Sequence, residues 1–221
     1  ALPSDTEAKG EVYTDQSLTD ALKEARDHYG FVLLTIGFFV CGFQLGFITI
    51  HLPPYVSDLG LDSRVAAIAL ALIGGFNIVG SLASGVIGQH WSKKRSLSFI
   101  YLLRGLLIVG LMMSPKTEIV IFIFSASMGL LWLSTVPLTS GIIAQVFGLR
   151  YMATLFGIVF LSHQLGSFLG IWLGGLLFDA TGSYDVVWWL GAALGFAAAI
   201  VHWPIDEKPL PRLGLNKPKP A

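Results

Sequence analysis

The sequence has few charged residues and almost no cysteine. Only 13% of its 221 residues are charged, against about 25% in ordinary soluble domains. Its 14 Lys and Arg balance its 14 Asp and Glu, so there is no global basic field and no nucleic-acid partner is expected. The single cysteine, Cys41, excludes an intrachain disulfide and a thiolate metal cluster. We therefore expect no metal site.

Long apolar runs dominate the chain instead. The apolar share is 54%, the mean hydropathy is +0.70, and six stretches approach the ~20 residues that cross a bilayer. None of them alternates as a strand of a membrane barrel would. The sequence therefore predicts an all-α, polytopic membrane protein, a bundle of six transmembrane helices. The predicted spans are 31–52, 64–89, 97–114, 119–145, 154–178 and 186–203.

The flanking segments and the basic residues predict the topology. Residues 1–29 are polar and are expected to form a cytoplasmic linker with a short amphipathic helix; residues 30–203 form the membrane domain, and 204–221 a flexible, proline-rich cytoplasmic tail. One side of the predicted membrane has only Arg64 and Lys116. The other side has Lys9, Lys23, Arg26, Lys93, Lys94, Arg95, Arg150, Lys208, Arg212, Lys217 and Lys219. Because cytoplasmic loops carry the excess of Lys and Arg, both termini should be cytoplasmic, in a plasma (bacterial inner) membrane.

Small and aromatic residues predict how the helices pack. Trp188 and Trp189 begin the sixth span and Trp203 ends it, as in an interfacial aromatic girdle. Small residues recur every fourth position and predict close seams within one monomer rather than a dimer face. These small residues are Gly80, Ser84 and Gly88, then Ser162, Gly166, Gly170 and Gly174, then Gly191 and Gly195.

Three segments carry a family resemblance: GFFVCGFQLGFITIHLPPYVSDLGL, SGVIGQHWSKKRS and GLRYMATLFGIVFLSHQLGSFLGIWLGGLLFDATGSYD. They resemble the C-terminal half of a major facilitator superfamily transporter, closest to the bacterial branch of monocarboxylate carriers and oxalate–formate exchangers. The resemblance implies twelve spans in two six-helix halves with cytoplasmic termini. It also implies a missing N-terminal half as a partner, encoded by the same gene or on a separate chain.

The loop after the second span resembles the glycine-rich basic gating loop of that family. Its residues here are Gly85, Gly88, Lys93, Lys94 and Arg95. Gln89 stands where the family has an acidic residue, so a gate locked by charge is not expected. A simple positive-inside anchor is an equally good interpretation.

Polar side chains inside the spans are the candidates for a solute cavity. The resemblance places the first and fourth spans beside the pathway, the second and fifth next to it, and the third and sixth outside. Gln44, His51 and Tyr55 share one face, and Pro137 is expected to interrupt the fourth span between its two threonines. For Gln44 and Asn77, hydrogen bonding between helices is favoured over contact with the solute, and it is an equally good interpretation for His163. The candidates are Gln44, Asn77, Ser125, Met128, Trp132, Thr135, Thr139, His163, Gln164 and Ser167.

Two titratable residues are singled out. His163 can gain or lose a proton near neutral pH, which makes it the candidate for proton coupling or anion binding. Arg104 lies about ten residues beyond Lys94, roughly 15 Å into the membrane, and no span supplies an acidic partner. A structural role or snorkelling is favoured for Arg104, and anion binding stays open.

The predicted function is that of a secondary active transporter, as a half or a fragment. It would move a small solute, expected to be a small organic anion such as a monocarboxylate, by alternating access. A non-transporting remnant or membrane partner protein is the alternative. An intramembrane serine protease is weaker, because LASG at Ser84 and LTSG at Ser140 lack the preceding glycine of the usual nucleophile motif. Nucleotide-binding motifs are absent from the sequence, so neither a cofactor nor enzymatic activity is expected.

Overall fold

The computed structural model describes residues 16–214, which form α-helices joined by short connections and contain no strand. Two parts of the predicted flanking segments lie outside the described residues: residues 1–15 of the linker and residues 215–221 of the tail. The helices are α1 (Leu18–Asp27), α2 (Tyr29–Asp58), α3 (Ser63–His90), α4 (Lys93–Met113), α5 (Glu118–Leu131), α6 (Thr135–Phe147), α7 (Met152–Thr181), α8 (Asp185–His202) and α9 (Pro211–Gly214).

Within residues 16–214, six segments are long and apolar enough to cross a membrane: α2, α3, α4, α5 with α6, α7 and α8. They coincide with the six predicted spans, which confirms the predicted fold class. The first span is longer than predicted, because α2 continues through Pro53 and Pro54 to Asp58. The fourth span consists of two helices, which has consequences for the site.

The six spans pack in three pairs. α2 packs along α7, α3 along α5, and α4 along α8, so the first span pairs with the fifth, the second with the fourth, and the third with the sixth. If the first, second and third spans are exchanged with the fourth, fifth and sixth, in that order, the same three pairs result. Three is an odd number, so the two sets cross the membrane in opposite directions, as in an inverted repeat.

Glycines allow the paired helices to approach closely. A Cβ atom at Gly166 would lie 2.0 Å from the carbonyl oxygen of Phe39 on α2, and one at Gly170 only 2.3 Å from that of Phe43. In the α3–α5 pair, a Cβ atom at Gly80 would lie 1.9 Å from the Leu130 carbonyl oxygen. The predicted small-residue seams are therefore confirmed as contacts within one chain.

Lys116 caps the C-terminal end of the third span. Lys116 follows α4, and its Nζ donates to the carbonyl oxygens of Leu111 (2.7 Å) and Met112 (2.8 Å). These carbonyls have no partner within the helix, so the cation both satisfies them and complements the negative end of the helix dipole. Desolvation lowers the pKa of the Lys116 ammonium group.

The described part of the tail differs from the flexible segment that its prolines predict. The Leu210 amide donates to the Val146 carbonyl oxygen at 3.0 Å. Arg212 pairs with Glu24 on α1 at 2.9 Å and donates to the Phe147 carbonyl oxygen at 2.8 Å. Residues 204–214 are therefore anchored to α1 and to the end of α6, because proline prevents helix continuation without preventing side-chain contacts.

Candidate functional site

The fourth span is interrupted at Trp132–Ser134, between the end of α5 at Leu131 and the start of α6 at Thr135. The prediction of an interruption between Thr135 and Thr139 is therefore wrong in its position. Pro137 lacks an amide hydrogen, and its ring crowds the carbonyl four residues earlier, that of Leu133. The helix consequently opens one turn before the proline. We call Trp132–Ser134 the break.

Arg104 on α4 binds the carbonyl groups that the break releases. Its Nε and Nη2 donate to the Leu131 carbonyl oxygen at 3.2 and 2.5 Å, and Nη2 also donates to that of Trp132. Its Nη1 donates to the sulfur of Cys41 on α2 at 3.3 Å. The side chain is fully buried, so snorkelling is excluded for Arg104. These contacts fit the structural role that the sequence favoured.

Asn77 on α3 binds the other side of the break. Its Oδ1 accepts from the Leu133 amide at 3.0 Å and from the Ser81 hydroxyl at 3.2 Å. The Ser134 hydroxyl donates to the Leu130 carbonyl oxygen at 2.5 Å. Asn77 thus joins the second and fourth spans by a hydrogen bond, the role that the sequence favoured for it.

A polar cluster surrounds Arg104 inside the bundle. The Cys41 sulfur lies 3.4 Å from the Thr135 hydroxyl. The guanidinium carbon of Arg104 lies 5.4 Å from the centre of the Tyr101 ring, which is stacked on the ring of His202 at 4.7 Å. We call Cys41, Tyr101, Arg104, Thr135 and His202 the buried polar cluster. It includes side chains from the first, third, fourth and sixth spans.

Gln44 and His51 on the first span bind different helices, although they share a face in sequence. Gln44 Nε2 donates to the Gly191 carbonyl oxygen on α8 at 2.9 Å. His51 Nε2 lies 2.9 Å from the Ile171 carbonyl oxygen on α7. Both side chains therefore connect spans, and neither faces an open surface.

His163 on α7 lies in an aromatic environment. Its ring is 5.0 Å from that of Phe38 and is stacked on Phe160 at 5.4 Å. Nδ1 lies 3.1 Å from the side-chain oxygen of the exposed Gln164, and the buried Nε2 has no hydrogen-bond partner among the described residues. One turn further, the Ser167 hydroxyl donates to the Gly42 carbonyl oxygen at 3.1 Å.

The predicted candidates do not all line one open cavity in this chain. Gln164 is exposed, whereas Asn77, Trp132 and Ser167 are half-buried. An apolar surface concavity on α3, lined by Ile68, Ala71, Leu72, Gly75, Phe76 and Val79, contains none of the candidates. The break and the His163–Gln164 pair are both polar features within the spans. The candidates within the bundle are Gln44, Ser125, Met128, Thr135, Thr139 and His163.

The predicted gating loop is held by side chains of other segments. Lys93 Nζ donates to the Gln145 side-chain oxygen on α6 at 2.7 Å, whereas Arg95 is exposed. The carboxylate of Glu207 accepts from the Ser92 hydroxyl and from the Lys94 amide, both at 2.7 Å. An acidic group at the start of α4 complements the helix dipole. Glu207 is a partner that the sequence analysis missed.

Two loop glycines differ in their surroundings. A Cβ atom at Gly88 would lie 2.9 Å from the side chain of Leu138, whereas one at Gly85 would meet nothing within 4 Å. Gly88 therefore allows the end of α3 to approach α6, as its place in the predicted small-residue seam implies.

The two serines considered for a protease bond within their own helices. Ser84 donates to the Ser81 carbonyl oxygen at 2.9 Å, and Ser140 to that of Pro137 at 3.2 Å. The structure thus uses both hydroxyls to satisfy backbone carbonyls, an ordinary role for serine in a membrane helix.

Two sets of three spans and a span broken at mid-length define a polytopic membrane protein with the architecture of a transporter repeat. Residues 34–221 match the Major Facilitator Superfamily. The chain belongs to this superfamily, which confirms the resemblance.

Three relatives illustrate the similarity. The chain is 31% identical to the uncharacterized MFS-type transporter YcxA of Bacillus subtilis (strain 168) over 160 residues, covering 70% of this chain and 39% of that protein. It is 25% identical to monocarboxylate transporter 12-B of Danio rerio, covering 70% and 34%. It is 28% identical to monocarboxylate transporter 3 of Gallus gallus, covering 74% and 31%. The matched regions thus span less than two fifths of each relative.

Proposed function

We propose that this chain supplies one six-helix half of a secondary transporter, which moves a small organic anion such as a monocarboxylate by alternating access. The observation that carries the proposal is a complete repeat of three plus three spans that matches only 31–39% of these superfamily relatives. The anionic solute rests on the names of the monocarboxylate transporters among them.

The partner in this proposal is a second six-helix half, on the same gene product or on a separate chain. Its position is expected beside the second and fifth spans, where α3 and α7 expose large apolar side chains. Examples are Ile78 and Leu82 on α3 and Leu161 and Phe168 on α7, each at least 60% exposed. Lipid would cover the remaining apolar surface.

The proposed location is the plasma membrane, with both termini cytoplasmic. The described basic residues support this orientation. Arg212 of the tail contacts α1, which contains Lys23 and Arg26, and Glu207 contacts the start of α4, where Lys93 lies. These basic residues therefore lie at the same end of the bundle, as expected for the cytoplasmic side.

The proposed solute site lies between the break and His163. Trp132 would provide an apolar wall and Gln164 would provide hydrogen-bonding groups, whereas Thr135 is fully buried behind that wall. The buried Nε2 of His163 has no hydrogen-bond partner among the described residues, which supports its role in proton coupling, because this ring nitrogen can bind a proton without losing a partner.

Uptake of labelled lactate by bacteria that express the complete product of this gene tests the proposal. We expect uptake that a proton gradient drives, and we expect His163→Gln to reduce the driven accumulation about tenfold, equivalent to ~1.4 kcal/mol. His90→Gln is the matched control, because His90 is exposed at the end of α3.

Three outcomes decide between the alternatives. Normal uptake in a His163→Ala, Gln164→Ala double variant would remove both residues from the mechanism. Equal losses in His163→Gln and His90→Gln would also argue against a specific role. Absence of uptake of every monocarboxylate by a correctly inserted protein would favour the non-transporting alternative.

A further inference from the structure

The break leaves backbone groups of the fourth span without partners in their own helix. In hydrocarbon, each unpaired backbone group costs several kcal/mol, so an interrupted helix needs partners from elsewhere in the protein. The break releases the carbonyls of Leu131 and Trp132 and the amide of Leu133. All three have a side-chain partner, and each of these partners lies on another span.

Arg104 binds two of these three backbone groups. The guanidinium group of Arg104 binds two carbonyl oxygens of the fourth span with one side of its fork, and its Nη1 reaches Cys41 on the first span. Cys41 in turn lies within 3.4 Å of the Thr135 hydroxyl, at the first residue of α6. Arg104 therefore connects both parts of the fourth span to the first and third spans.

The charge of Arg104 is not used in an ion pair. Its partners are the two carbonyl oxygens and a sulfur, and none of the ion pairs found among residues 16–214 involves it. The negative end of the α5 dipole lies at these carbonyls and stabilises the cation. A planar fork with five donors suits this arrangement, whereas the ammonium of lysine is a point charge on a flexible stem.

We propose that Arg104 is a positioning residue for the solute site, and this inference rests on the proposed function. By fixing the carbonyls of Leu131 and Trp132, Arg104 sets the place of the half-buried Trp132 side chain. Trp132 is the fourth-span residue that the proposed site assigns to the solute. Arg104 itself does not touch the solute, because its side chain is fully buried behind the break.

The first test is the kinetics of lactate uptake by the complete gene product. We expect Arg104→Lys and Arg104→Gln to raise KM about tenfold and to change Vmax less than about twofold, because the site is displaced while the transport cycle is retained. Tyr101→Phe is the matched control: its hydroxyl is buried one turn away and has no hydrogen-bond partner within residues 16–214, so KM and Vmax should stay within about twofold.

The second test separates positioning from stability. Cys41 is the only cysteine, so alkylation by N-ethylmaleimide in the 221-residue chain reports on the packing around Arg104. Arg104→Lys keeps a cation beside the sulfur and so preserves the reactivity of the thiol, and it should accelerate this alkylation by loosening the packing. Adding Pro137→Ala lets the fourth span form a continuous helix that satisfies its own carbonyls. The double variant should then regain slow alkylation but keep the raised KM, since Trp132 is displaced in a continuous helix.

The outcomes that overturn the proposal are distinct. An unchanged KM in Arg104→Lys and Arg104→Gln, or a KM that returns to normal in the double variant, would show that Arg104 is only structural. Unchanged alkylation in Arg104→Lys would show that Arg104 does not hold the break. No uptake by the unmodified product would refute the proposed function and the positioning role. The alkylation rates would still show whether Arg104 binds the carbonyls of Leu131 and Trp132.

A gentler variant covers the case in which Arg104→Gln does not accumulate in the membrane. Cys41→Val removes the acceptor of Nη1 together with the contact to the Thr135 hydroxyl, and it leaves both carbonyl contacts of Arg104 in place. We expect its KM to rise about threefold, the size of one weak hydrogen bond. An unchanged KM in Cys41→Val would contradict the connection from Arg104 to the first span.

Discussion

Replacing Gly166 with alanine is expected to destabilise the bundle by about 3 kcal/mol, because overpacking at a tight contact forces the backbones apart. The added Cβ atom would lie 2.0 Å from the Phe39 carbonyl oxygen and 3.0 Å from the Phe43 amide nitrogen. Both atoms belong to the backbone of α2 and cannot rotate away. The measurement is the temperature at which purified protein in detergent loses its monodisperse peak in size-exclusion chromatography.

Gly157 provides the matched control on the same helix. A Cβ atom there would meet nothing within 4 Å, so Gly157→Ala should be neutral or should stabilise α7 by about 0.5–1 kcal/mol. Similar melting temperatures for the two variants would contradict the close packing of the first and fifth spans.

Replacing Trp188 with alanine is expected to cost about 3–5 kcal/mol, the usual range for a fully buried Trp or Phe. The Trp188 ring is completely buried, with its centre 4.8 Å from Phe47, 5.3 Å from Tyr55 and 5.7 Å from Phe124. It therefore fills the space between the first, fourth and sixth spans. The same heating assay in detergent measures the loss.

The neighbouring Trp189 is the control for this substitution. It is 46% exposed, so Trp189→Ala should lower stability by about 0.5 kcal/mol or less, as substitutions outside the core usually do. Equal losses in both variants would show that Trp188 does not occupy the interior. The sequence analysis predicted a girdle position for both tryptophans, and for Trp188 the structure corrects that prediction.

Hydropathy predicts the spans well because a membrane-crossing helix needs about 20 consecutive, mostly apolar residues, and such a run is visible directly in the sequence. Glycines at four-residue spacing likewise predict helix contacts, since only small side chains let two backbones approach. The two tryptophans show the limit of such patterns. Adjacent residues on a helix point about 100° apart, so one can face lipid while its neighbour faces the core.

The contacts of the site could be predicted only in part. The depth of Arg104 follows from helix rise, and the absence of acidic residues in the spans predicts a partner of another kind. Its actual partners are backbone carbonyls, which every residue has and no sequence pattern marks. Glu207 is 113 residues from Lys94 in sequence, and nothing near Glu207 indicates that it reaches the start of α4. Only the folded tail brings them together.

Counterflow in proteoliposomes tests the central claim most directly, because alternating access lets solute on the far side accelerate exchange. The complete gene product would be reconstituted into vesicles loaded with unlabelled lactate, and the entry of labelled lactate would be followed. We predict a transient accumulation above equilibrium that is absent from vesicles without internal lactate. Entry that is the same with and without internal lactate, or no entry at all, would contradict a carrier made from this six-helix unit.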